Sequence, residues 1–193
     1  GTSVDSAIRR HYRSFWEQDG SRAHKWLDPR AADRVSESTG ESMWTMRRRI
    51  ISYYLAQKET PFASGHFQIS SELLDRFGSD YAFVTLLRDP VKRWISHYWF
   101  NRAKDADQAF SIDTELDEFL ETERARGIGQ IFLSYFSGTG ELSPEERANE
   151  RVMEQALANM KRFDLIAFVE HMSNFAEKFR ENFGAGLNVM RRN

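Results

Sequence analysis

The sequence contains no cysteine, and this absence excludes a disulfide framework, a thiolate nucleophile and a Cys-ligated zinc site. Its five histidines show no metal-ligand spacing, so we expect no metal. Its apolar stretches are far shorter than the roughly 20 residues of a membrane span. The 27 Lys and Arg against 29 Asp and Glu argue against a generally basic nucleic-acid-binding protein. These absences favour one globular domain, residues 1–193, and are compatible with a reducing compartment, so we expect a cytoplasmic location.

Aromatic residues are plentiful, and the 15 Phe and 5 Trp argue against disorder. Two apolar runs, Tyr81–Leu87 and Leu165–Val169, are typical of strands that are buried on both faces of a parallel sheet. Helical patterns alternate with these runs, which predicts an α/β fold with a parallel sheet. Because ligands of such sheets bind at the carboxyl ends of the strands, the residues that follow strands are the first candidates for a site.

Apolar periodicity, capping residues and glycine stops predict seven helices and three strands. The helices are predicted at residues 4–18, 41–57, 71–77, 90–102, 114–124, 144–162 and 173–183. The strands are predicted at residues 62–67, 81–87 and 165–169. Residues 21–40 are polar and aperiodic, which predicts a loop with at most a short helix, and residues 127–138 fit no single pattern.

Arg88 and Ser96 form a candidate phosphate clamp. Asp89 fits an N-cap and Pro90 the first residue of a helix, so Arg88 is expected at the carboxyl edge of the sheet. The planar guanidinium suits phosphate oxygens, Ser96 can add a hydroxyl donor, and the helix N-terminus favours anions. The alternative is that Arg88 pairs with Asp89 or another carboxylate and that Ser96 is incidental.

His66 is a candidate general base, because its position after Gly65 at a short strand can expose an imidazole whose ordinary pKa is about 6.5. The alternative is a buried, hydrogen-bonded core histidine. Gly1, Thr2 and Ser3 precede a helix and can offer backbone N–H groups and hydroxyls to an anion, or they form a plain helix cap or a tag remnant.

The run Arg47–Arg49 lies within a predicted helix. Consecutive helical residues point about 100° apart, so the run is expected to be a solvated face rather than an anion site.

Together these features resemble the sulfotransferases that use 3′-phosphoadenosine 5′-phosphosulfate (PAPS). The segment Arg88–Pro90 with Ser96 resembles the 3′-phosphate-binding motif of that family. Gly65-His66 stands where the branch of the heparan sulfate 2-O-sulfotransferases and many bacterial relatives carries a Gly-His pair. Gly1–Ser3 resembles the end of the 5′-phosphosulfate loop.

The resemblance implies a three-layer α/β/α fold with a central parallel sheet, related to the P-loop NTPases. It implies transfer of the sulfuryl group from PAPS to a hydroxyl acceptor, expected to be a carbohydrate, in a bacterial protein and without a metal. Arg88 and Ser96 would hold the 3′-phosphate, Gly1, Thr2 and Ser3 the 5′-phosphate, and His66 would take the acceptor proton. The first strand, the loop lysine and the C-terminal segment of the family are absent from the sequence, which is therefore interpreted as a fragment.

Three alternatives stay open at this point. A P-loop kinase acting on a small molecule would need a Walker lysine and a carboxylate-held magnesium ion. A non-catalytic module that binds 3′-phosphoadenosine 5′-phosphate (PAP) would keep Arg88 and Ser96 without depending on His66. A protein-interaction domain would use the basic and aromatic residues to bind a partner.

Overall fold

The computed structural model describes residues 4–11, 24–57, 60–108, 110–184 and 186–187, which form a mainly helical α/β structure. Helix α1 covers residues 4–11. The helices that follow are α2 (Pro29–Thr39), α3 (Met43–Ala56), α4 (Ser71–Phe77), α5 (Pro90–Arg102), α6 (Leu116–Leu120), α7 (Glu123–Gly129), α8 (Ile131–Ser137), α9 (Pro144–Arg147), α10 (Glu150–Met160) and α11 (Met172–Phe183). None of the described helices is both long and apolar enough to cross a bilayer.

The strands of the described residues form two separate parallel sheets. Strand β1 (Lys25–Trp26) pairs with β2 (Ala63–Ser64), and β3 (Val84–Leu87) pairs with β4 (Leu165–Phe168). Parallel pairing requires a crossover between the strands, and helices α2 and α3 make the first crossover while α5 to α10 make the second. The prediction of parallel pairing is confirmed. A single central sheet is not seen among the described residues.

A polar cap followed by proline starts three of the helices. Asp28 precedes Pro29 of α2, Asp89 precedes Pro90 of α5, and Ser143 precedes Pro144 of α9. At α5 the Asp89 carboxylate accepts a hydrogen bond of 2.9 Å from the Lys92 N–H. Because proline suits the first helical position and the cap satisfies a free N–H, the chain turns into α5 directly after β3. Arg88 is the one residue between β3 and this cap.

The described residues form four apolar clusters, and the two largest lie beside the sheets. One contains Leu27, which directly follows β1, together with Ile51 of α3 and Leu74 of α4. The other joins Val4 and Ile8 of α1 to Phe175 and Phe179 of α11 and to Leu165 of β4. Strand β3 is less buried than predicted, since only Leu87 of its four residues is fully buried. The cavity described below explains this, because β3 forms part of its wall.

The prediction of a loop over residues 21–40 is wrong for most of its described part. Residues Pro29–Thr39 form helix α2, and Lys25–Trp26 form β1. The signals for α2 were the Asp28 cap and the left-handed Gly40 at its end, with φ of 69°. These are short-range signals, and the helix was missed because the segment is mostly polar and offers few apolar residues from which to read a period.

Two predicted helices are each split by an internal cap. The predicted helix at 114–124 becomes α6 and α7, because the Thr122 side chain accepts from the Ala125 N–H and starts a new helix. The predicted helix at 144–162 becomes α9 and α10, because Asn149 caps Val152 in the same way. The predicted strand at 62–67 is shorter, at Ala63–Ser64, and the predicted helix at 4–18 is described only over residues 4–11.

Candidate functional site

A cavity of about 1750 Å³ is lined by residues of both sheets and of the two largest apolar clusters. Its wall includes the segment from Thr60 to Phe67, the segment from Asp80 to Arg88, and the first turn of α5. The carboxyl ends of β2 and β3 therefore open on the same space. This is where an α/β protein with parallel strands is expected to bind a ligand.

Arg88 lines this cavity and is exposed within it. Its guanidinium makes no ion pair or hydrogen bond with any described residue. Asp89, the nearest carboxylate in sequence, instead caps α5, and its own N–H donates to Glu170 at 3.2 Å. The ion pair considered as the alternative role of Arg88 is not found among the described residues. A guanidinium left free in this way can bind an anion.

Ser96 lies on the exposed face of α5 and is not part of the cavity wall. It is four residues beyond Lys92 and three beyond Arg93, which both line the cavity. Residues at these spacings share one face of a helix, so Ser96 extends the cavity face of α5 by one turn. The structure therefore does not bring Arg88 and Ser96 into one cavity, because Arg88 lines it and Ser96 does not. Gly1, Thr2 and Ser3 lie outside the described residues.

His66 lies two residues after β2, next to Gly65, and lines the same cavity as Arg88. Gly65 has φ of 153°, and a Cβ at this position would lie 2.7 Å from the Cβ of Leu27. Glycine therefore allows the chain to pass closely over the end of β1 and turn His66 outward. The imidazole is solvent-accessible and forms no hydrogen bond with the described residues, unlike a satisfied core histidine.

His24 shows what a structural histidine looks like in this protein. Its side chain is 7% exposed and lies 3.3 Å from the Asp5 carboxylate. Its Nε2 is 2.7 Å from the Ser64 hydroxyl, which also donates to Asp5. His66 has none of these features, so its exposure in the cavity is not a general property of histidines here.

The pKa of His66 is lowered from its ordinary value, first by desolvation in the cavity wall and then by the positive charges of Arg47 and Arg93. The imidazole is consequently neutral at neutral pH, with a free nitrogen lone pair. Such a group can accept a proton from a bound hydroxyl.

Arg93 was not predicted as a site residue, and Arg47 was expected on a solvated face, with a role in binding only if the acceptor is an anionic polysaccharide. Arg47 lies on α3, its side chain is 8% exposed, and its Nη2 donates to Asp33 at 2.9 Å. Arg93 donates to the Ile128 carbonyl at 3.4 Å and lies 5.6 Å from the centre of the Phe132 ring. Both arginines line the cavity.

The basic run Arg47–Arg49 divides as helical geometry requires. Arg49 pairs with Glu41 at the surface, and Arg48 lies 3.8 Å from Glu141. Only Arg47 faces the cavity. The expectation of a solvated face holds for Arg48 and Arg49 and is wrong for Arg47. Because neighbouring residues on a helix are rotated by about 100°, three consecutive side chains cannot all face solvent equally. The sequence alone does not show which of the three faces inward.

Three carboxylates also line the cavity, at Asp5, Asp80 and Glu170. Asp5 is engaged by Arg9 and by the Ser64 hydroxyl, and Glu170 accepts from the Asp89 N–H. None of the three forms an ion pair with a cation of the cavity wall among the described residues. Within the same residues, no cluster of three or more His, Asp or Glu side chains is placed to hold a metal ion.

No protein-family model, curated protein or solved structure matches this chain. The function is therefore inferred from the chemistry of the site.

Proposed function

We propose that this chain is a sulfotransferase domain that transfers the sulfuryl group of PAPS to a hydroxyl group, with a carbohydrate as the acceptor and PAP as the product. The observation that supports this function is that His66 and Arg88, which lie 22 positions apart in the sequence, line one cavity at the carboxyl ends of β2 and β3. The proposal includes a three-layer α/β/α fold with a central parallel sheet, of the P-loop NTPase kind, and a cytoplasmic location.

Arg88 is proposed to bind the 3′-phosphate of the nucleotide. Its guanidinium lines the cavity, has no carboxylate partner among the described residues, and precedes the N-terminus of the 13-residue helix α5. The charge of Arg88 and the helix dipole both favour a phosphate at this edge. Ser96 is one turn farther along α5 than Lys92 and would donate its hydroxyl to the same phosphate. Gly1, Thr2 and Ser3 would bind the 5′-phosphate through backbone N–H and hydroxyl donors.

His66 is proposed as the general base. An acceptor hydroxyl would donate its proton to the neutral imidazole as its oxygen attacks sulfur. The new O–S bond forms as the bond between sulfur and the bridging phosphate oxygen breaks, and that oxygen leaves on PAP with the bond's electron pair. Positioning of the reactants and positive charge near the departing oxygen would lower the barrier, as in phosphoryl transfer.

Thermal unfolding in the presence of nucleotides tests this proposal. A ligand at 100 times its dissociation constant adds about 2.7 kcal/mol to the free energy of unfolding, which raises the midpoint measurably. We expect PAP to raise the midpoint of the wild-type chain, and to raise that of an Arg88→Gln variant much less. ATP with magnesium is the comparison for a kinase. Equal stabilisation by ATP with magnesium, or none by PAP, would overturn the proposal.

A further inference from the structure

The cavity wall contains a second group of hydrogen-bond donors besides Arg88. Arg47 of α3, Arg93 of α5 and Tyr135 of α8 all line the cavity. Arg47 and Arg93 are both close enough to lower the pKa of His66 and to affect that of Tyr135. Three helices thus contribute two guanidiniums and a phenol to the wall of the cavity that His66 also lines.

Arg47 is the buried member of this group, and its hydrogen bonds are incomplete. Its Nη2 donates to Asp33, which ties α3 to α2. Its Nε is buried and has no hydrogen-bond partner among the described residues. A buried donor without an acceptor is costly, so a bound group that supplies an acceptor there is favoured. An oxyanion in the cavity would satisfy it.

Arg93 and Tyr135 supply further donors for the same oxyanion. The one side-chain hydrogen bond that Arg93 makes with the described residues is long, at 3.4 Å, so its remaining N–H groups are available to a ligand. Burial raises the pKa of the Tyr135 hydroxyl, which therefore stays protonated and can donate. The Tyr135 ring is held in place by an edge contact with Trp44, with ring centres 5.6 Å apart.

We propose that Arg47 and Arg93, with the Tyr135 hydroxyl, form an oxyanion subsite beside His66 that is distinct from the nucleotide phosphate site at Arg88. The oxyanion is a carboxylate or sulfate group on the acceptor, or the sulfuryl group of PAPS itself. The assignment of these two sources rests on the proposed function, whereas the subsite itself is argued from the residues that line the cavity and from the unpartnered Nε of Arg47.

The subsite can be tested with inorganic sulfate as the probe. The imidazole signal of His66 is followed by NMR as pH is varied, with and without sulfate. Sulfate between the two arginines would offset their charge, so we expect it to raise the pKa of His66. In an Arg47→Gln variant we expect the apparent sulfate affinity reported by His66 to fall about ten- to a hundredfold, which is the loss of one charged hydrogen-bonding partner.

The chain contains matched controls for this experiment. Arg49→Gln removes a neighbouring surface arginine of α3, and Arg88→Gln removes the cation of the proposed nucleotide site; both should leave the sulfate response of His66 unchanged. His97 is an internal control, because its pKa is lowered by burial and by Arg93, Arg124 and Lys104 but not by Arg47. Arg47→Gln should therefore raise the pKa of His66 and leave that of His97 unchanged, whereas Arg93→Gln should raise both.

Arg47 is buried and bridges two helices, so the folded state of its variant is first checked by circular dichroism. If Arg47→Gln does not fold, Arg93→Gln is used for the test, because among the described residues Arg93 loses only its long hydrogen bond to Ile128 and its contact with the Phe132 ring. An unchanged sulfate response in the folded arginine variants would overturn the subsite. Loss of the response in Arg88→Gln alone would also overturn it, since sulfate would then be bound at Arg88.

A second measurement distinguishes the two sources of the oxyanion. If Arg47 binds the sulfuryl group, Arg47→Gln weakens the binding of PAPS but not of PAP. If Arg47 binds the acceptor, the affinities of PAPS and PAP for the variant stay the same as for the wild-type chain, and the KM of the acceptor rises. Failure of PAP to bind the wild-type chain would contradict the proposed function while leaving the sulfate result intact, so the two failures can be told apart.

Discussion

The basic side chains on the outer faces of the helices and those in the wall of the cavity differ in how they are paired with carboxylates. On the outer faces, several cations are paired: Arg49 with Glu41, Arg102 with Glu115, and Arg162 with Asp75. In the cavity wall, Arg47 pairs with Asp33, whereas Arg88, Lys92 and Arg93 form no ion pair among the described residues. The chain has a net charge of −2, yet it contains a local site with unpaired positive charge. The difference shows that the overall balance of charge says little about the ligand of this protein.

Of the substitutions that test this difference, the largest effect is expected at His66, which is neutral and lines the cavity together with the cations. In the intact protein, His66→Ala should lower the rate of sulfuryl transfer by about 10²- to 10⁴-fold, because a positioned general base contributes that much. Its affinity for PAP should stay nearly unchanged. Transfer measured with labelled PAPS checks the rate, and calorimetry checks the affinity. Retained transfer would remove His66 from the catalytic role.

A substitution of Arg88 tests directly whether an unpaired cation of the cavity wall binds the nucleotide. Arg88→Gln should weaken PAP binding by about 1.5–3 kcal/mol, which is the range for hydrogen bonds to charged groups. Calorimetric titration of PAP into the wild-type and variant chains measures this difference. The same affinity in both chains would mean that the free guanidinium does not bind the nucleotide.

The pH dependence of the transfer rate reports on the cations around His66. Burial, Arg47 and Arg93 lower the pKa of His66, so the imidazole is neutral above that pKa and protonated below it. The rate should therefore be constant near neutral pH and fall only as pH drops below the ordinary histidine value of about 6.5. Arg47→Gln should move this fall to higher pH. A profile that stays in place in the variant would show that Arg47 does not act on the base.

Ser96 should have a smaller effect, because it offers one neutral hydroxyl and does not line the cavity. Ser96→Ala is expected to weaken PAP binding by about 0.5–1.5 kcal/mol. Calorimetry under the conditions used for Arg88→Gln allows the two losses to be compared. No loss at all would confine the phosphate site to Arg88 and its neighbours in the cavity.

The paired surface cations should have the smallest effect. Arg49→Gln breaks the exposed pair with Glu41, and exposed pairs of this kind contribute about 0.2–1 kcal/mol to the free energy of unfolding. PAP affinity and the transfer rate should not change. Chemical denaturation and PAP titration check both expectations, and a loss of PAP affinity would contradict the division of charge between the two regions.

Much of the fold near the site could be predicted from local sequence signals. Helix α4 ends at Phe77 before Gly78, and α5 runs from Pro90 to Arg102, as the caps and stops predicted. Strong signals of this kind involve neighbouring residues only. The internal caps at Thr122 and Asn149 were missed because the apolar periodicity continues across them and local hydrogen bonds decide the break.

The site was predicted only in part, and the reason is physical. His66 and Arg88 follow strands, and position after a strand is visible in the sequence. Arg47 and Tyr135 lie within helices α3 and α8, where their spacing resembles that of ordinary surface or core residues. Whether they line the cavity depends on how these helices pack against the rest of the structure, and that packing cannot be predicted from one sequence.

The most direct test of the central idea, that the cavity of His66 and Arg88 binds the sulfuryl donor, is a crystal structure of the chain with PAP. The account predicts electron density for PAP at the carboxyl ends of β2 and β3, with its 3′-phosphate within hydrogen-bond distance of the Arg88 guanidinium and its 5′-phosphate toward His66. Nucleotide bound away from this cavity, or with Arg88 contacting no phosphate, would contradict the account.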